Sequence, residues 1–127
     1  MKTNVLAVHV LRIALGAIFL AHGLTKLFVF TPKGTAAFFA AHGFPAWLAY
    51  PVMAWEIGGG LLLLIGIKPR WLALAFLPIL AGAFLTHWPN GFMFDVPHGG
   101  WEFPAFVALI VLVYAAIDGG ARKEQTV

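Results

Sequence analysis

The chain has 127 residues, of which 61% are hydrophobic and 10% charged, and its mean hydropathy is +0.91. A soluble domain averages about a quarter charged residues, so an ordinary soluble enzyme is excluded and a single membrane-embedded domain, residues 1–127, is expected. The net charge of +3 serves orientation in a membrane rather than nucleic-acid binding. The absence of cysteine excludes disulfides, thiol exchange and cysteine-ligated iron–sulfur clusters.

The first apolar run covers residues 5–30 and is long enough to cross a bilayer, yet it contains Arg12, His22 and Lys26. At about 100° per residue, Arg12, Gly16, Phe19, His22, Gly23 and Lys26 share one helical face. Charges facing lipid are costly, so this face is expected to point into a bundle or a polar cavity. Lys2, the apolar run and Ala21-His22-Gly23 imitate a cleaved secretory signal. Arg12 interrupts the apolar region, however, and the hydrophobic stretch continues past the small-x-small site, which favours a retained first span.

Thr31-Pro32-Lys33-Gly34 reads as a breaker. The stretch after it, GTAAFFAAHGF, is too short to span and suits a short interfacial helix ended by His42-Gly43-Phe44-Pro45. A second span is predicted over residues 46–67, with Trp47 and Tyr50 at its entry, a bend near Pro51 and Glu56 near its middle. Gly59 and Gly60 lie one turn beyond Glu56 and permit close approach of another helix. Lys68-Pro69-Arg70 forms a basic turn.

A third span over residues 71–88 carries Pro78 and Gly82 four residues apart, which predicts a bent, narrow face. Pro89-Asn90-Gly91 stops it, and NGFMFDVPHGG is a loop with Asp95 and His98. A fourth span over residues 101–118 opens with Glu102 and Pro104 in its first turn, where both are tolerated. Asp118-Gly119-Gly120 is expected to end it before a polar tail. The expected fold is an all-α membrane protein, a four-transmembrane-helix bundle with the short interfacial helix between its first and second spans. Lys2, Lys68, Arg70, Arg122 and Lys123 fall on one side of such a bundle, which predicts that both termini are cytoplasmic.

The chemistry rests on few residues. Glu56 is the acidic residue well inside an apolar run, and Arg12 is the arginine inside the first span. Each would offset the other's cost in a low-dielectric core, as a structural ion pair or as the polar floor of a ligand cavity. His22 and Lys26, one turn apart, could hold an anion or a carbonyl oxygen, or be an interfacial histidine beside a snorkelling lysine. His87 could face His22 across the bundle as a second ligand. No HExxH, ExxH or CxxCH is present, so neither a metal nor a haem is expected. Trp47, Trp71, Trp88 and Trp101 all fall near span ends and fit an interfacial belt.

The arrangement Arg12, Gly16, His22-Gly23, Lys26-Leu27, followed by Glu56, Gly58-Gly59, Leu61 to Leu63 and Gly66 before a basic turn, resembles the DoxX family of small four-helix membrane proteins. Gly43-x-Pro45 also fits. The resemblance covers nearly the whole chain and is most specific over residues 12–70. It implies a four-helix bundle in the bacterial cytoplasmic membrane and a redox association, since relatives include a subunit of a thiosulfate:quinone oxidoreductase. The absence of cysteine argues against thiol exchange in this chain.

Two functions follow as expectations. One is a redox component, a subunit of a quinone-linked membrane oxidoreductase, binding a quinone-like molecule among Phe19, Trp55 and Phe84. Its ligand residues would be Arg12, His22, Lys26, Glu56 and His87, with Glu56 exchanging protons. Nothing in the chain supplies an electron, so a partner subunit or bound cofactor is required. The other is a non-enzymatic scaffold, assembly factor or carrier of a small lipophilic compound, whose Gly59/Gly60 face meets a second copy or a partner. Ion or proton transport through Arg12 and Glu56 would need oligomerisation to widen a thin pathway.

Overall fold

The computed structural model describes residues 4–93 and 95–126, with side chains through residue 119. All regular structure among the described residues is helical. The helices are α1 (Val5–Phe28), α2 (Thr31–Ala41), α3 (Ala49–Ile65), α4 (Pro69–Ala75), α5 (Leu77–His87) and α6 (Glu102–Thr126), with 3-10 turns at Ala46–Leu48 and Trp88–Asn90. Four stretches are long and apolar enough to cross a membrane: Val5–Phe28, Ala46–Ile65, Pro69–Asn90 and Glu102–Gly119. The four predicted spans and the short helix between the first two are therefore present, with ends shifted by a few residues.

Local chemistry sets the boundaries. Asn4 caps α1, its Oδ1 accepting from the Leu6 and Ala7 N–H groups at 2.9 and 3.3 Å. The predicted breaker at 31–34 is shorter than expected. Thr31 takes the left-handed conformation (φ 67°) and already opens α2, because Pro32 sits in the first turn, where its missing N–H costs nothing. The end of α2 is a Schellman closure: the Gly43 and Phe44 N–H groups reach back to Ala40 and Phe39 carbonyls at 3.2 and 3.0 Å. Gly43 supplies the positive φ, and the Phe39 and Phe44 rings, 6.1 Å apart, give its apolar contact. Gly66 closes α3 in the same way, with φ 92° and an Ile67 N–H bond to the Leu62 carbonyl at 3.0 Å.

Pro51 falls in the first turn of α3, so it is accommodated there rather than bending the span. Pro78 interrupts the third span. Without an N–H and with a ring that crowds the Leu74 carbonyl, it splits the helix at Phe76 into α4 and α5. The fourth helix does not end at Asp118-Gly119-Gly120 but continues to Thr126. A glycine costs about 1 kcal/mol in a helix interior and does not by itself stop one.

The chain divides into two compact units. In one, residues 13–67, α1 and α3 approach closely through glycines, and Leu15, Phe19, Ala49, Met53 and Leu63 are buried. A Cβ on Gly60 would stand 2.8 Å from the Leu20 nitrogen and 3.0 Å from the Gly16 oxygen. Small residues at such points let backbones meet. In the other, residues 1–12 and 68–127, α4 and α5 pack on α6, whose buried stripe is Val107, Val111, Tyr114 and Ala115. The 3–4 residue spacing of that stripe is the helical period.

The glycines yield a paired test. Gly60→Ala forces backbone apart and should cost about 1–3 kcal/mol, read as a lower unfolding midpoint in detergent. A Cβ on Gly58 would meet nothing within 4 Å, so Gly58→Ala should be accepted and gain up to about 1 kcal/mol of helix propensity.

Candidate functional site

The site grows from Glu56. Its place seven residues into α3, on the face that also carries Gly60, turns it toward α1. It is 2% exposed, and a Cβ on Gly23 of α1 would lie 3.0 Å from its own Cβ. Burying a lone carboxylate is costly. Here Lys26, one turn beyond Gly23 in the last turn of α1, donates from Nζ to Glu56 Oε1. The two side chains are unequally buried, Lys26 at 24% exposure and Glu56 at 3%. Glu56 Oε2 is buried without a hydrogen-bond partner among the described residues.

The helix end that carries Lys26 is anchored by α2. Thr35 is 3% exposed, and its single Oγ1–H is shared between the carbonyl oxygens of Lys26 (3.1 Å) and Thr31 (2.9 Å). The hydroxyl thereby occupies a carbonyl that α1 leaves open at its C-terminus. Chemically, the pair presents a cation with N–H donors in excess of its one carboxylate bond, partly accessible, backed by a buried counter-ion with an open acceptor.

The expected Arg12–Glu56 pair is not formed; Glu56 is bonded to Lys26. Arg12 is 14 residues before Lys26 on the same helix, about 21 Å along its axis at 1.5 Å per residue, well beyond side-chain reach. Arg12 instead has Nη2 3.5 Å from Nδ1 of His9. The shared face of α1 is also narrower than the sequence pattern suggests. Gly16, Phe19 and Gly23 are buried and Lys26 half-buried, but His22 is on the exposed edge. Its Nδ1–H donates to the Ile18 carbonyl at 2.8 Å.

His87 belongs to the other unit, near the end of α5. Its Nδ1–H donates to the Ala83 carbonyl at 2.8 Å, and its Nε2 lies 3.9 Å from where a Gly99 Cβ would be. No group of three or more metal-ligating side chains occurs among the described residues. Of the expected aromatic lining, Phe19 is core, Trp55 is 39% exposed and Phe84 packs with Trp88 and Trp101 at ring distances of 5.3 and 5.4 Å. The role of Thr35 was missed by sequence reasoning, and no sequence signal separates it from an ordinary helix threonine. The role of Lys26 had a signal in Gly23, the small residue one turn before it that meets Glu56.

A family model described as DoxX matches residues 7–89. The chain belongs to the DoxX family, an all-α membrane family. A curated Bacillus subtilis (strain 168) protein named "Putative oxidoreductase CatD" is 38% identical over 76 residues, 60% of this chain and 55% of that protein. The match thus spans about half the length of that relative. No solved structure matches the chain.

The pairing is open to a double-mutant cycle. Lys26→Met strands a buried carboxylate and should cost about 3 kcal/mol, while Lys26→Met with Glu56→Gln should recover part of it. Arg12→Gln should combine additively with Glu56→Gln. Reversible unfolding in mixed micelles reads both cycles, and an additive Lys26/Glu56 cycle would refute the pair.

Proposed function

We propose that this protein is a redox-associated component of a bacterial cytoplasmic membrane, with both termini cytoplasmic, that binds a small lipophilic ring compound of the quinone type at Lys26 and Glu56. The observation that carries this reading is the unequal burial of the pair. An ion pair kept only for helix register gains nothing from leaving one partner a quarter exposed, whereas a ligand oxygen needs an accessible donor. Lys26 would donate an N–H to that oxygen, and a charge-assisted bond of this kind contributes about 1.5–3 kcal/mol. Glu56 keeps the ammonium in place and has, at Oε2, an acceptor with no hydrogen-bond partner among the described residues. The name of the CatD relative is the support for redox chemistry. The chain has no cysteine and carries no electron source of its own, so electrons come from a partner subunit or a bound redox group. Arg12, His22 and His87 are not needed for this contact.

Organic extraction and mass spectrometry of the full chain purified in mild detergent should recover a stoichiometric quinone-like compound. Titration with a short-chain quinone should saturate, and Lys26→Met should weaken it about tenfold, equivalent to 1.4 kcal/mol. Phospholipid alone in the extract, together with no saturable binding, would replace this reading with that of a scaffold.

A further inference from the structure

We propose that α2 is a strap, hinged at Thr31 and Gly43 and latched by Thr35, whose opening controls access to the Lys26–Glu56 pair. A left-handed residue stands at each end of α2: Thr31, at φ 67°, opens it, and Gly43, at φ 85°, follows it. The two are not equivalent. Glycine adopts this conformation without steric cost, and a Cβ on Gly43 would meet nothing within 4 Å. Threonine is β-branched, so a positive φ is a strained state that persists only where surrounding contacts impose it. Here two hydroxyls supply them. The Gly34 N–H donates to Thr31 Oγ1 at 3.2 Å, and the Thr35 hydroxyl is shared between the Thr31 and Lys26 carbonyls at 2.9 and 3.1 Å.

The rest of α2 is held weakly. Among its described residues Thr35 alone is buried, and Phe38 is 48% exposed. A helix with so little apolar burial to lose opens locally at well below the free energy of global unfolding. Its position links that opening to the site. α2 is bonded to the end of α1 that carries Lys26, and it packs on α3, which carries Glu56. It therefore borders the junction of the two helices that supply the pair. Closed, it fixes the last turn of α1 with the Lys26 side chain 24% exposed. Open, with Thr31 relaxed to a negative φ, it frees that turn and widens the approach to Nζ. Strain at Thr31 favours opening and the Thr35 bonds oppose it, so hinge and latch can be altered separately. The use of such a strap rests on the reading of Lys26 and Glu56 as a ligand site; the motion does not.

Two measurements on the full chain in mild detergent test this. Amide hydrogen exchange, read separately on α2 and α3, reports the opening. Acylation of Lys26 by an N-hydroxysuccinimide ester, read by mass spectrometry against exposed Lys68, reports access to Nζ. In the wild type α2 should exchange faster than α3. Thr35→Val keeps the shape and removes the latch, and should speed exchange of α2 about tenfold, the ratio that corresponds to 1.4 kcal/mol, with α3 unchanged. Thr35→Ser keeps the hydroxyl and should restore the wild-type rate. Thr31→Asn keeps an acceptor for the Gly34 N–H and tolerates the left-handed conformation, so it should slow exchange of α2 several-fold. Acylation of Lys26 should rise in Thr35→Val and fall in Thr31→Asn. Exchange of α2 and α3 in step in every variant, or exchange in Thr31→Asn no slower than in the wild type, would overturn the strap. Altered exchange with unaltered acylation of Lys26 would overturn its control of the site. Neither measurement contains a quinone, so a failure of the strap is told apart from a failure of quinone binding.

Discussion

A carboxylate inside a spanning helix has no water to turn to, so Glu56 must be compensated by protein, and the requirement reaches well beyond the ion pair. Lys26 can answer it only if α1 comes close enough, which Gly23 permits by leaving room at the level of Glu56. The end of α1 must then be held, which Thr35 does by binding the Lys26 carbonyl from α2. Three helices of the 13–67 unit are thus tied to one buried charge. Apolar burial could not supply this specificity, since lipid is as apolar as a protein core and gives helices little reason to choose one register over another.

The asymmetry of the pair is where structure passes into function. A buried pair often contributes little more to stability than apolar residues of similar size would, so retaining one calls for a role in register or in chemistry. Here the lysine reaches the surface and the glutamate does not, and one carboxylate oxygen is left over. This separates the tasks, with the cation placed to meet a ligand and the anion placed to hold the cation. The 68–127 segment shows a related economy at Arg70, where an aromatic ring and a glycine shape the space around a charged side chain.

Much of the fold is legible without coordinates because its signals are local. Span length, proline position and turn-forming glycines act within a few residues, so the four spans and the helix end at Gly43 follow from the chain itself, whereas the break at Phe76 and the closure at Gly66 are read from the structure. The misread boundaries have the same origin. Pro32 starts a helix instead of breaking one, and Gly119 lies within α6, with the Arg70 guanidinium beside it. In both cases residue type alone cannot distinguish the two roles.

The site was only half legible. Periodicity placed Gly16, Phe19, Gly23 and Lys26 on one side of α1 and singled out Glu56, but it also enrolled His22 and paired the glutamate with Arg12. A helical period fixes azimuth and says nothing about the depth at which two helices meet. By itself the sequence determined that this is a four-span membrane protein with an anion to compensate in its second span. Only the tertiary structure decided that the compensating cation is Lys26, because the register of α1 on α3 is set by the close contacts of Gly16, Gly23 and Gly60, and those exist only once the helices have met.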